Sequence, residues 1–248
     1  MFSASDIAHS IAFFTRLPLG SLPALDKPFA SVLWAAPLAG WIIAAIGAGV
    51  FALAHAAGLP AGPAAAIAVA ATVAVTGGLH EDGLSDTADG FSGGRDRERR
   101  LEIMRDSRIG SHGAAALGLS LLLRWSALAT IAEPPAVFSA LLAAHGASRA
   151  VLPAFLGWTP PARRDGLSAG AGSAEPVVAW VALALGAVSL LFLGMGPAIV
   201  AALIIAVIAL PFRSFCLSKL DGQTGDTAGA LQQFCEIAVL LVAAAAFS

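Results

Sequence analysis

Residues 31–57 read SVLWAAPLAGWIIAAIGAGVFALAHAA, a run without a single Asp, Glu, Lys or Arg. About 20 apolar residues cross the hydrocarbon core of a bilayer as a helix, so this stretch is long enough to span one, with some tilt. Working outward, Ala61–Thr76, Gly113–Ala132, Ala136–Gly157, Pro176–Gly194, Pro197–Leu210 and Gly229–Phe247 are further predominantly apolar runs. The first of these is short and bracketed by Gly58-Leu59-Pro60 and Gly77-Gly78. The expectation is an all-α, polytopic membrane helix bundle of about seven transmembrane helices, with 1–248 forming one integral membrane domain.

Composition agrees. The 248 residues are 58% hydrophobic and 12% charged, against about 45–50% and about 25% in soluble domains. Net charge is −2, so the sum of charges says nothing about partners and their position must. Two cysteines, Cys216 and Cys235, offer neither a disulfide framework nor a zinc spacing and read as small apolar fillers. The N-terminus has no basic region followed by a short apolar core and cleavage site, so no signal peptide is expected. Residues Ser5–Arg16 mix apolar positions with Asp6, His9 and Arg16, as in an interfacial amphipathic helix.

The connections alternate. Gly58–Gly62, Glu133–Pro135 and Gly194–Pro197 are tight turns without a basic residue, whereas 77–112, 158–175 and 211–228 are longer and polar. Twelve of the 14 Lys and Arg lie in these three loops and the N-terminal stretch; Arg124 and Arg149 fall inside apparent spans. The bias of basic residues toward the cytoplasm puts all four basic segments on that side, in the cell (inner) membrane.

The segment 77–112 carries 14 of the chain's 30 charged residues. Asp82, Asp86 and Asp89 are spaced i, i+4, i+7 and would share one face of a helix. In a soluble chain a solvated acidic loop would explain them; in a membrane chain this poor in acids, stacked carboxylates at the end of a span are costly unless a cation neutralises them. Oxygen ligands select hard ions, and Mg²⁺ takes one or two carboxylates while leaving positions for phosphate oxygens. The run Arg97-Glu98-Arg99-Arg100 reads as an exposed helix. The cluster Arg105-Asp106-Ser107-Arg108 lies where the chain re-enters the membrane and offers forks for phosphate. A smaller acidic segment, Asp221 to Asp226, precedes the last span and reads as the opposite wall of the same site. Inside the spans, His145 and Arg149 are i, i+4 neighbours that need partners or a substrate, as does Arg124.

The run Gly78-Leu79-His80-Glu81-Asp82-Gly83-Leu84-Ser85-Asp86-Thr87-Ala88-Asp89-Gly90, with Gly93-Gly94-Arg95 and Arg105-Asp106-Ser107-Arg108-Ile109-Gly110, resembles the cobamide synthase family. These are the adenosylcobinamide-GDP ribazoletransferases, or cobalamin 5′-phosphate synthases. Phe13-Phe14-Thr15-Arg16-Leu17-Pro18 and Thr224-Gly225-Asp226-Thr227-Ala228-Gly229-Ala230 fit the same family, so the resemblance covers almost the whole chain. Glu81 stands where the family often has an apolar residue, which ranks it below Asp82 as a ligand.

The resemblance implies a Mg²⁺-dependent transferase in the last steps of cobalamin biosynthesis. It would join α-ribazole, or its 5′-phosphate, to the cobinamide phosphate of adenosylcobinamide-GDP and release GMP. Asp82, Asp86 and Asp89 are the expected metal ligands; Asp82, Asp106 and Asp226 the expected catalytic carboxylates, with Asp106 and Asp226 both open as the proton acceptor. His80, Arg95, Arg105, Ser107, Arg108, Arg149, Asp221 and Thr227 are the expected substrate contacts. The expected partners are these two substrates and the lipid bilayer, without nucleic acid, and a homo-oligomer is compatible with the chain. Two other readings rank below: a CDP-alcohol-type phosphotransferase, whose Ala-Arg element is missing after Asp82-Gly83, and a membrane transporter, for which no clear inverted repeat is visible.

Overall fold

A computed structural model describes residues 2–166, 170–172 and 175–247; parts of the expected 158–175 loop, at 167–169 and 173–174, lie outside the described residues. The chain forms α1 (Ala4–Phe14), a 3-10 segment (Phe29–Ala35) running into α2 (Ala36–Ala56), α3 (Ala61–Thr76) and α4 (Leu79–Gly93). There follow α5 (Arg97–Ile103), α6 (Ser111–Ile131), α7 (Pro134–Trp158), α8 (Pro176–Leu190), α9 (Met195–Leu220) and α10 (Gly225–Phe247). Six helical stretches are long and apolar enough to cross a membrane, and α3 with α4, bent by 89°, makes up to seven. The chain is thus an all-helical, multi-pass membrane protein.

Helix α7 is the axis of the bundle, with 78% of its apolar stretch buried inside the protein, against 11% for α9 at the edge. Because lipid tails are as apolar as Leu, helices in a bilayer associate through close packing and interhelical hydrogen bonds rather than the hydrophobic effect. The core is accordingly rich in Ala, with Ala64, Ala65, Ala68, Ala140, Ala143 and Ala144 all buried.

Two expected boundaries move. Span 197–210 was read as stopping before Pro211, but α9 continues through it to Leu220. Proline costs one backbone bond; tertiary contacts outweigh that here. Phe212 packs its ring 6.1 Å from Phe155 and 5.6 Å from Phe234, and Arg213 donates through Nε and Nη2 to the Trp158 carbonyl at 3.1 and 2.5 Å. The expected loop 211–228 shrinks to 221–224. The segment 77–112, read as a polar loop, begins instead with α4, which packs against α6 and α10 with His80, Glu81, Leu84, Ser85 and Thr87 buried. Gly77 and Gly78 both take left-handed backbone angles, φ 66° and 70°, which turn α4 away from α3.

The amphipathic N-terminal stretch is α1, started by a capping box between Ser3 and Asp6. Asp6 is fully buried and accepts from Trp34 Nε1 at 2.8 Å, Lys27 Nζ at 2.7 Å and Ser3 Oγ at 2.7 Å. These contacts tie α1 to the 3-10 segment before α2. Burial pushes the Asp6 carboxyl up, but the hydrogen bonds from Lys27, Trp34 and Ser3 more than offset it and hold it at about 2 instead of 3.8.

A lowered carboxyl pKa contributes stability that is complete above the unfolded value and lost as pH falls through the folded one. The Asp6→Asn protein should therefore be less stable than wild type at neutral pH, by on the order of 2 kcal/mol. In thermal unfolding of the detergent-solubilised protein, that gap should close as pH is lowered from 3.8 toward about 2. A pH-independent gap would contradict this account of the Asp6 contacts.

Candidate active site

The site is built where α4 crosses the first turn of α10. A Cβ at Gly83 would lie 2.8 Å from the Asp226 carbonyl oxygen, and one at Gly229 would lie 3.4 Å from the Cα atoms of Gly83 and His80. At Gly83 only glycine allows this approach, which brings α4 against the Asp226 backbone. The start of α10 is fixed by a reciprocal pair: the Thr224 amide donates to Thr227 Oγ1 at 2.9 Å and the Thr227 amide to Thr224 Oγ1 at 3.2 Å. Thr227, an expected substrate contact, is fully buried in this cap.

Asp82, Asp86 and Asp89 do lie along one helix, as their spacing predicts, but their surroundings differ. Asp82 is exposed and lines a cavity of about 790 Å³. Half-buried Asp86 lies in the field of the Asp82, Asp226 and Asp89 carboxylates, with Arg163 as the nearby cation. Asp89 accepts from the backbone N–H of Gly110 at 2.7 Å and of Gly113 at 2.8 Å, so it caps α6 from a neighbouring helix. In the same cavity lining, Asp226 Oδ2 accepts from Arg163 Nη2 at 3.0 Å and Thr224 Oγ1 at 3.2 Å.

Among the described residues, no three His, Cys, Asp or Glu side chains converge as a metal cluster. A hard cation needs only one or two protein carboxylates when phosphate supplies the other ligands. Asp82 and Asp86, like charges on adjacent turns facing Asp226, provide a donor set of that kind; Asp89 is engaged elsewhere.

Arg163 was not singled out in the sequence. It reaches the site because its loop is stitched to the turn before α10: the Gln223 amide donates to the Pro160 carbonyl at 2.8 Å and the Ala162 amide to the Gln223 carbonyl at 2.7 Å. Arg97, read as a solvated side chain, clamps this junction. Its Nε donates to the Leu220 carbonyl at 2.9 Å, capping α9, and its Nη2 to the Ala162 carbonyl. Arg163 Nη1 is a buried donor without a hydrogen-bond partner among the described residues, beside the cavity that this side chain lines.

Other expected residues lie outside the cavity lining. Arg105 donates to both Asp165 oxygens at 2.6 Å, and Arg108 Nη2 to Asp106 Oδ2 at 2.6 Å. Both arginines and Ser107 are exposed, as is Arg95 beyond α4. The hydrogen bonds from Arg108 hold the Asp106 carboxyl at about 2, which makes it a weak base. Asp221 ends α9 with a left-handed φ of 56° and pairs with Arg97 Nε at 3.3 Å. His80 does line the cavity, at its buried end.

Beneath His80 lies a charged network inside the bundle. Arg124 Nη1 donates to Glu81 Oε1 at 2.8 Å and to Glu236 Oε1 at 3.1 Å. Glu236 Oε2 lies 3.0 Å from His145 Nδ1, 3.7 Å from Arg149 Nη1 and 2.6 Å from Gln232 Nε2. Arg149, expected to contact substrate, is 1% exposed and sits in this network; its Nη2 is 3.5 Å from His80 Nδ1. Two guanidinium groups thus face two carboxylates from α4 and α10. Glu236 was missed in the sequence, although it is the one acid in the final span beyond its first turn.

A buried pair that loses one partner typically costs about 3–5 kcal/mol. Arg124→Met should therefore lower the thermal stability of the solubilised protein by that order, and adding Glu81→Gln should restore part of it. A single variant that melts like wild type would contradict the network's role.

Fold and site together define an integral membrane protein with an acidic, arginine-flanked cavity at the end of its bundle that carries the basic loops. The chain matches the family model described as Cobalamin-5-phosphate synthase over residues 6–244 and belongs to that family, as the motif around residues 78–90 indicated. It is 55% identical over 243 residues to a protein of Mesorhizobium japonicum named adenosylcobinamide-GDP ribazoletransferase, covering 98% of this chain and 94% of that one. A protein of the same name from Bradyrhizobium diazoefficiens is 49% identical over 243 residues, covering 97% and 94% of the two chains. No solved structure matches.

Proposed function

We propose that this chain transfers the cobinamide phosphate of adenosylcobinamide-GDP to α-ribazole or its 5′-phosphate, releasing GMP at the cytoplasmic face of the inner membrane. Besides the family and the names of its relatives, one observation carries the reading. Asp82, Asp226 and Arg163 line one cavity, and Asp86 lies in the field of both carboxylates.

In the reaction a ribose hydroxyl oxygen bonds to the phosphorus that bears cobinamide. The bond from that phosphorus to the bridging oxygen breaks, and GMP departs with the electron pair. Asp226 lies within the cavity and is the carboxylate to accept the hydroxyl proton, whereas Asp106 is outside it and weakly basic. Arg163, held by Asp226 through Nη2, lines the cavity, and its guanidinium would bind a phosphate oxygen and so orient the diphosphate. Asp82 and Asp86 would hold Mg²⁺, which supplies charge neutralisation on the diphosphate and the departing GMP. Asp89, engaged with Gly110 and Gly113, steadies the helix that carries them. Arg95, Arg105 and Arg108 are left for the parts of the corrinoid nucleotide outside the cavity.

Purified protein in detergent, given adenosylcobinamide-GDP, α-ribazole and Mg²⁺, should release GMP and stop on chelation. Asp82→Ala should lose roughly a hundredfold or more in turnover while melting like wild type. Near-normal turnover in that variant would sink the assignment of Asp82. Inactivity with either ribazole form, together with transfer to a lipid alcohol, would favour the CDP-alcohol type of reaction.

A further inference from the structure

The cavity lining joins acidic and aromatic residues. In the same lining as Asp82 and Asp226, Phe13 and Phe29 pack with ring centroids 4.6 Å apart, tilted 47°, and Phe13 meets Phe14 edge-on at 4.9 Å. His80 extends this surface, its ring stacked on Phe14 at 5.7 Å. Phe14 is 1% exposed and serves as backing. Phe13 and Phe29 are only half-buried, and both line the cavity. Both pack against the buried cluster that contains Phe14 and Leu33 and still leave surface on the cavity. The anchoring of α1 does not need them either, since Asp6 provides it through Trp34 and Lys27.

This wall offers π surface and few polar groups, which selects among the parts of the proposed substrates. Guanine has donors and acceptors along its edges that phenyl rings would leave unpaired, at a cost in affinity. The corrinoid is bulky and fringed with amides. The base of α-ribazole is a fused, flat, largely apolar ring system, and it alone of these matches the wall. It is also joined to the ribose whose hydroxyl must reach the carboxylates. A base held against Phe13 and Phe29 therefore directs its ribose toward Asp82 and Asp226. Resting on the reaction proposed above, we propose that Phe13 and Phe29 are the specificity-determining contacts for the acceptor nucleoside and stack on its base.

Phe13→Leu and Phe29→Leu keep apolar bulk and remove the ring, and Phe29→Trp keeps a ring. Calorimetric binding of α-ribazole to the detergent-solubilised full chain tests the assignment without turnover. Each Leu variant that elutes and melts like wild type should weaken α-ribazole binding roughly tenfold, while Phe29→Trp stays within about threefold of wild type. Binding of adenosylcobinamide-GDP should change less than about twofold in all three. The proposal is overturned if wild type does not bind α-ribazole, or if both Leu variants bind it as wild type does. Equal losses in Phe29→Leu and Phe29→Trp overturn it too, as does weakening confined to adenosylcobinamide-GDP, which would put the corrinoid nucleotide on this wall. Failure of wild type to release GMP would instead count against the reaction, leaving the binding result to stand by itself.

Discussion

A guanidinium inside a bilayer must be matched where it sits, because water is not there to solvate it and unpaired charge is costly. Arg124 is matched by carboxylates from two different helices, Glu81 of α4 and Glu236 of α10. Each carboxylate is in turn buried, so neither helix can withdraw without exposing the others' charge to the bundle interior. That constraint holds α4, a helix with a polar sequence, among apolar neighbours. Close contact at Gly83 and Gly229 sets its distance from α10; the ion pairs set its depth and rotation.

The acidic cavity follows from this placement. One residue after Glu81 stands Asp82, so the side of α4 bound to Arg124 and the side that bears the cavity carboxylate are fixed together. Asp89 finishes the anchoring at the far end of the helix by capping α6. On the other side, Arg97 joins the end of α9 to the 158–166 loop, and the loop delivers Arg163 to Asp226. Groups drawn from three distant stretches of sequence therefore meet at one end of the bundle. The aromatic wall comes from a fourth, the N-terminal helix and the 3-10 segment that Asp6 binds to each other.

Much of this could be read from residue order. Apolar run lengths gave the crossings, and the i, i+4, i+7 spacing gave the aspartate ladder. The paired likeness of the 82–89 and 221–226 stretches pointed to a shared site, and its second member is Asp226. Tertiary facts stayed hidden. Arg97 looked solvated because its neighbours alternate in sign, and nothing local reveals that it caps a helix more than a hundred residues away. Arg163 sits in an ordinary basic loop until the Pro161–Gln223 bridge places it. Arg149 and Arg124 announced a need for partners, but spacing alone could not say whether those were substrate or Glu81 and Glu236. Pro211 suggested a helix end because the missing N–H is visible in sequence, whereas the Phe212 and Arg213 contacts that carry the helix past it are not.

The central claim is that Asp82 of α4 and Asp226 of α10 meet in the lining of one cavity. In a chain whose Cys216 and Cys235 are replaced by alanine, cysteines at positions 82 and 226 can be bridged by a short bis-methanethiosulfonate, with protease cleavage between them to reveal the link. The account predicts that the two fragments stay joined until the bridge is reduced. Fragments that separate, although each single cysteine reacts with a monofunctional reagent, would contradict it.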